Sequence, residues 1–159
     1  MSKTMSASAQ KVQQALNAFG LELQVLELPQ STRTAGEAAQ AVGCAVGQIV
    51  KSLVFRGRQT ERAVLVLTSG ANRVNEQTLA QLAGEQVGKA DPDFVRQRTG
   101  FSIGGVPPVG HSEPLPTFID QDLMQYSEIW AAAGTPNAVF RLIPADLVRI
   151  SSGRIVSVK

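Results

Sequence analysis

Two β-branched apolar runs, Ile49 to Arg56 and Ala63 to Thr68, constrain this chain more than any other feature. Separated by a turn region at Gly57 and Arg58, they predict an antiparallel hairpin at the centre of a sheet. Lys51 interrupts the first run, between Ile49, Val50 and Leu53, Val54, Phe55. A lysine in such a strand either points to a solvated face, the commoner outcome, or is held in a pocket where its ammonium meets an anion. The hairpin therefore needs covering layers, and Lys51 needs an explanation.

Helices supply the cover. Val12, Leu16 and Phe19 recur at helical spacing and predict a helix over Ala9 to Phe19, with Gly20 as its cap. Thr34-Ala35-Gly36-Glu37 matches a capping box and opens a helix that runs to Val42 and stops at Gly43. A short helix is expected after Asn75. Asp91-Pro92 signals another, ended by Gly100, and a helical turn follows Pro144. Alternation predicts a strand from Leu21 to Leu28, and short strands are expected at Phe101–Ile103, Phe118–Asp120, Glu128–Ala132, Ala138–Ile143 and Ile155–Val158. Helices and strands are intermixed without steady βαβ alternation, which points to a mixed α/β fold with a curved sheet flanked by helices.

At 159 residues, 43% apolar and 18% charged, the chain suits one packed domain and excludes a disordered one. Residues 8–159 read as that domain, and residues 1–7, small and polar, as a flexible leader. No apolar run is long enough to cross a membrane and no signal segment opens the chain. Cys44 is the only cysteine, which excludes an intrachain disulfide; a reducing, cytoplasmic setting fits. Cys44 and His111 are too few for a structural zinc site, so no metal is expected. The formal charge of +2 lacks the Lys/Arg run of a general nucleic-acid binder. Neither DNA nor a membrane is an expected partner, and RNA contacts through the scattered arginines would be local.

The catalytic inventory is thin. A Cys44–His111 dyad needs an exposed thiol beside a cation, whereas Cys44 sits among small residues where a buried, inert thiol is the ordinary reading. There is no nucleophile elbow, metal cluster or phosphate loop. Gly104-Gly105-Val106-Pro107-Pro108-Val109-Gly110-His111 is too rich in glycine and proline for regular structure. Two adjacent glycines let backbone amides approach a ligand, and the prolines stiffen the loop; a plain rigid turn is the competing reading.

Taken in order, these segments resemble the YbaK family of aminoacyl-tRNA deacylases, the editing domains associated with prolyl-tRNA synthetase. Thr34 to Ala39, Val42-Gly43 and Ile49-Val50-Lys51-Ser52-Leu53-Val54 are similar to the first signature of that family, a helix and then a strand bearing its key lysine. Gly104 to Pro108 resembles its G-x-x-x-P loop. Asp120 with Leu123, Gly134, and Pro144-Ala145-Asp146-Leu147 fit its closing pattern. The resemblance implies a single domain with a barrel-like central sheet and hydrolysis of the ester joining a small wrong amino acid (Ala, Cys, Ser or Thr) to the tRNA 3′ end. It implies no metal and no organic cofactor. Lys51 would hold the terminal nucleotide or acyl group, and Ser52, Gly104, Gly105, Val106, Pro107, Pro108, Gly110 and His111 would bind substrate. The implied partner is aminoacylated tRNA, with a synthetase or elongation factor as an open second one. The alternative is a non-catalytic module of the same fold that binds tRNA or a synthetase.

Overall fold

The computed structural model describes residues 5–159. The first four residues of the expected leader lie outside the described ones, and the remainder is shorter than expected. Helix α1 (Ala7–Ala18) already starts at Ala7, because Ser6 Oγ accepts from the Ala9 amide and satisfies a free donor of the first turn. Then follow β1 (Val25–Glu27), α2 (Ala35–Val42), β2 (Ile49–Gly57), β3 (Ala63–Ser69), α3 (Glu76–Ala83), β4 (Val87–Lys89), α4 (Pro92–Thr99), β5 (Thr117–Asp120), β6 (Ile129–Ala132), β7 (Ala138–Leu142), α5 (Pro144–Ser151) and β8 (Arg154–Val156). All eight strands join one mixed sheet in the order β1-β7-β6-β2-β3-β5-β8, with β4 paired to β2 off this path. No helix among the described residues is long and apolar enough to cross a membrane.

The hairpin lies at the centre, as the sequence predicts. β2 and β3 pair antiparallel from Val50↔Ser69 to Arg56↔Ala63, and every residue of β3 is buried. One core layer packs Val12 and Leu16 of α1 against Leu65, Leu67 and Phe140; a second, on the other side, gathers Phe55, Val64, Val66 and Leu79. The capping box at Thr34 and Glu37 forms, and Asp91 caps α4 with Pro92 following it.

Three expectations are corrected. The strand expected from Leu21 to Leu28 shrinks to β1, because the Gln13 side chain donates to the Leu23 carbonyl and accepts from the Val25 amide, capping an edge that alternation alone would extend. Phe101–Ile103 forms no strand: Thr99 Oγ1 accepts the Phe101 amide and donates to the Val95 carbonyl, which turns the chain off the end of α4. The last strand is shifted to Arg154–Val156, since the Val158 carbonyl beyond it accepts the Asn75 amide. β4 has no counterpart in the sequence reading.

The pairing of β2 is interrupted on one side. β6 runs parallel to it only at Ile49 and Val50, and β4 pairs with it only at Phe55, Arg56 and Gly57. Between them, Lys51 to Val54 have β3 as their only strand neighbour among the described residues. The Gly57 amide points to β3, donating to Arg62, so strand alternation turns the Ser52 main chain the other way, into the opening.

Candidate active site

Two cavities meet over this opening. The first, about 400 Å³, is walled by Ala35, Ala38, Ile49, Trp130 and Ala132, with Arg33 and Gly104 at its side. The second, about 500 Å³, is bordered by Phe55, Val74 and Val95 and by three charged side chains, Arg73, Glu76 and Lys89. Lys51, Ser52, Leu53, Ile103 and Val106 line both. Lys51 is half-buried; its Nζ donates to the Asn72 carbonyl at 3.2 Å and forms no ion pair with a carboxylate among the described residues. An ammonium has three protons to give, so two remain for a ligand. On the next residue, Ser52 Oγ turns to the opposite face of the strand, where it is buried and makes no hydrogen bond among the described residues. Such an orphan is uncommon in a folded protein.

The glycine-proline loop forms the opposite wall, but only part of it reaches the cavities. Gly104 and Val106 do. Gly104 has φ +94°, a conformation side chains resist, and a Cβ there would stand 2.7 Å from Arg33 Cγ. Gly105 faces away: a Cβ on it would meet the Thr135 backbone at 2.9 Å, its amide donates to Ser102, and its carbonyl accepts from Gly134. Pro107 and Pro108 are buried behind the wall and Gly110 beyond them. His111 turns inward, Nε2 donating to the Pro107 carbonyl at 2.7 Å; a carbonyl only accepts, which places the proton on Nε2. Burial holds the imidazole below its usual pKa, the Pro107 bond opposes this, and Lys11 adds to the lowering. His111 thus braces the loop as a neutral ring.

Cys44 packs by Ala38, Ala39 and Ile49, donates to Ala45, and has its pKa raised by burial and by Glu128. A protonated thiol of this kind is a poor nucleophile. No group of three or more His, Cys, Asp or Glu among the described residues could hold a metal ion. Sequence reasoning missed Arg33, Lys89 and Trp130 as lining residues, and Arg73 stood out there only as one of the scattered arginines that could meet a phosphate. Arg33 directly precedes the recognised capping box, the one signal that could have found it.

Residues 29–150 match the family described as the aminoacyl-tRNA editing domain. The uncharacterised protein YwhH of Bacillus subtilis is 27% identical over 148 residues, 93% of this chain and 94% of its own length. EbsC of Enterococcus faecalis, described as a candidate Cys-tRNA(Pro)/Cys-tRNA(Cys) deacylase, is 27% identical over 126 residues, 79% of this chain and 76% of that protein. The crystal structure of a candidate trans-editing enzyme for prolyl tRNA synthetase superposes with a TM-score of 0.92 and 52% identity, covering 98% of this chain and 99% of that one. With the motifs in order around one opening in the sheet, the chain belongs to the YbaK-type family of aminoacyl-tRNA editing domains.

Proposed function

We propose that this chain hydrolyses, in trans, the ester that joins a small wrong amino acid of the Ala, Cys, Ser or Thr class to the 3′ end of a tRNA. One observation carries the reading: a half-buried ammonium with no carboxylate partner among the described residues stands where two cavities meet, on the stretch of β2 whose main chain opens toward them. An ester between an amino acid and a ribose has this shape, with one arm for each cavity and a carbonyl between them. The apolar cavity takes the amino-acid side chain against Ala35, Ala38, Ile49 and Ala132. Arg73 and Lys89 leave the other for the phosphate-bearing nucleotide. The Lys51 ammonium and the Ser52 main-chain amide then face the ester and stabilise charge developing on its oxygen.

As the family likeness implies, the ribose hydroxyl next to the ester takes a proton from the attacking water while handing its own to the leaving oxygen. The first cavity is lined by no carboxylate or imidazole among the described residues, and Glu76 borders the second. The water oxygen bonds to the carbonyl carbon, the ester bond to the ribose breaks, and the ribose oxygen leaves with a proton. A wall of alanines and one isoleucine sets a width. Each methylene excluded or admitted is worth about 1–3 kcal/mol of discrimination, the range in which a separate editing site is needed.

The test is a panel of tRNAs carrying Ala, Cys, Ser or Thr, with free amino acid release followed against buffer. At least one ester should be cleared far faster than its spontaneous hydrolysis. Retention of charged tRNA with every ester intact would instead establish a binding module.

A further inference from the structure

We propose that Asp120 and Asn72 are positioning residues that hold the Lys51 ammonium at the junction of the two cavities, an inference that rests on Lys51 as the group facing the substrate. Asp120 ends β5 and is 1% exposed. Its Oδ2 accepts from Thr68 Oγ1 at 3.0 Å, the Ser69 amide at 3.0 Å and Asn72 Nδ2 at 2.8 Å, while Oδ1 accepts the Asp122 amide. Asn72 Nδ2 also donates to Asp122 Oδ2 at 2.7 Å. Carboxylates only accept, so both contacts require the nitrogen and the amide has a single orientation. The Asn72 main-chain N–H donates to the Ser69 carbonyl at 2.9 Å and closes the turn. With side chain and main chain both tied, the Asn72 carbonyl has one direction, toward Lys51 Nζ.

Strand register explains why these groups meet. Lys51 pairs with Thr68 across the hairpin, so their side chains share a face, and Thr68 is one of the donors to Asp120. β5 lies on the far side of β3, which brings its terminal carboxylate under the same turn. A flexible lysine is thereby fixed by a buried anion it does not touch. Direct contact would bind the ammonium to the carboxylate; an intervening carbonyl holds it and leaves its charge for the substrate.

The test combines Asn72→Ala, a half-exposed turn position, with Asp120→Asn, Lys51→Ala and the double variants. Single-turnover deacylation of the charged tRNA that wild type clears fastest in the panel should slow about tenfold in each positioning variant, a sub-ångström misplacement being enough for that. In the Lys51→Ala background the same changes should cost nothing further, because the group they position is gone. Additive losses would show that they act through the fold alone and overturn the proposal while leaving the Lys51 reading intact; a full rate in Lys51→Ala would remove both. The 15Nζ resonance of Lys51, identified by its disappearance in Lys51→Ala, gives a readout independent of activity. It should move toward that of free lysines in Asn72→Ala, and an unmoved resonance there also overturns the proposal.

Discussion

The two ends of the β2–β3 hairpin are each closed by a buried carboxylate that comes from outside it. At the turn end Glu85, 9% exposed, accepts the Gln59 and Thr60 amides and the Thr60 hydroxyl, with Arg62 at 3.7 Å. At the open end Asp120 accepts the Ser69 amide, the Thr68 hydroxyl and the Asn72 amide nitrogen. The chemistry is the same: an acceptor-only group gathers donors that a tight turn leaves without partners. What differs is where the chain of contacts stops. Neither Glu85 nor its amide donors line the cavities at Lys51, whereas the Asp120 ring ends on the carbonyl that holds that ammonium. A buried carboxylate stabilises either turn; connection to a ligand-facing cation is what gives one of them a part in function.

The largest effect expected from this contrast is at Lys51. Lys51→Ala removes a group with one hydrogen bond in the protein, so the melting temperature should stay within about 2 °C of wild type. The deacylation rate should fall by roughly 100-fold or more, the range for losing one oxyanion donor. Glu85→Gln should do the reverse, lowering the melting temperature by roughly 3–8 °C and leaving the rate within about twofold. Differential scanning fluorimetry beside the deacylation assay separates the two. A rate loss in Glu85→Gln would collapse the distinction between the ends.

Acid unfolding sharpens the same contrast. The Thr60 hydroxyl, then the Thr60 amide, hold the Glu85 carboxyl below its ordinary pKa, against the opposing effect of burial. A carboxylate whose folded pKa is depressed contributes stability that is complete above its unfolded pKa, about 4.3, and is lost as pH falls through the folded value. Wild type should therefore lose melting temperature below about pH 4 more steeply than Glu85→Gln. Asp122, lowered chiefly by Asn72 and Lys159, titrates in both proteins and cancels in the comparison.

Ser52 predicts a smaller effect at the open end. Its hydroxyl is buried without a partner, so Ser52→Ala gives up no hydrogen bond in the protein and should leave stability unchanged or slightly raised. The main chain that faces the opening is kept, so the rate should stay within about threefold of wild type. A loss of tenfold or more would show that the hydroxyl itself meets the substrate.

How much of this was legible depended on whether the signal was local. The hairpin, the capping box at Thr34 and the Asp91-Pro92 helix start are written in neighbouring residues, and all three form as read. Lys51 stood out because its own strand surrounds it with apolar side chains. β4 was invisible: Val87-Gly88-Lys89 carries no period and is a strand only because Phe55 to Gly57 pair with it. β1 was over-read because Gln13, twelve residues before Val25, occupies the edge. Gly104 and Gly105 look alike in sequence, yet one faces Arg33 beside the cavity and the other the Thr135 backbone. Asp120 was noticed only as part of a pattern, since Thr68, Ser69 and Asn72 lie about fifty residues away.

The smallest predicted effect tests that last connection most closely. Asp122 takes the same Asn72 nitrogen as Asp120, at 2.7 Å, but its side chain is 31% exposed and it also pairs with Lys159 at 3.0 Å. Exposed ion pairs are weak because water and salt screen them, and the Lys159 side chain is itself 62% exposed. An asparagine at 122 would still offer a carbonyl oxygen to Asn72, while the buried bond to Asp120 keeps the amide in its orientation. Asp122→Asn should therefore change the deacylation rate by less than about twofold, against about tenfold for Asp120→Asn. Equal losses from the two would mean that the net negative charge of the cluster, rather than the buried bond to Asp120, sets the position of Lys51; raising the salt concentration would then slow wild type and abolish the difference between the variants.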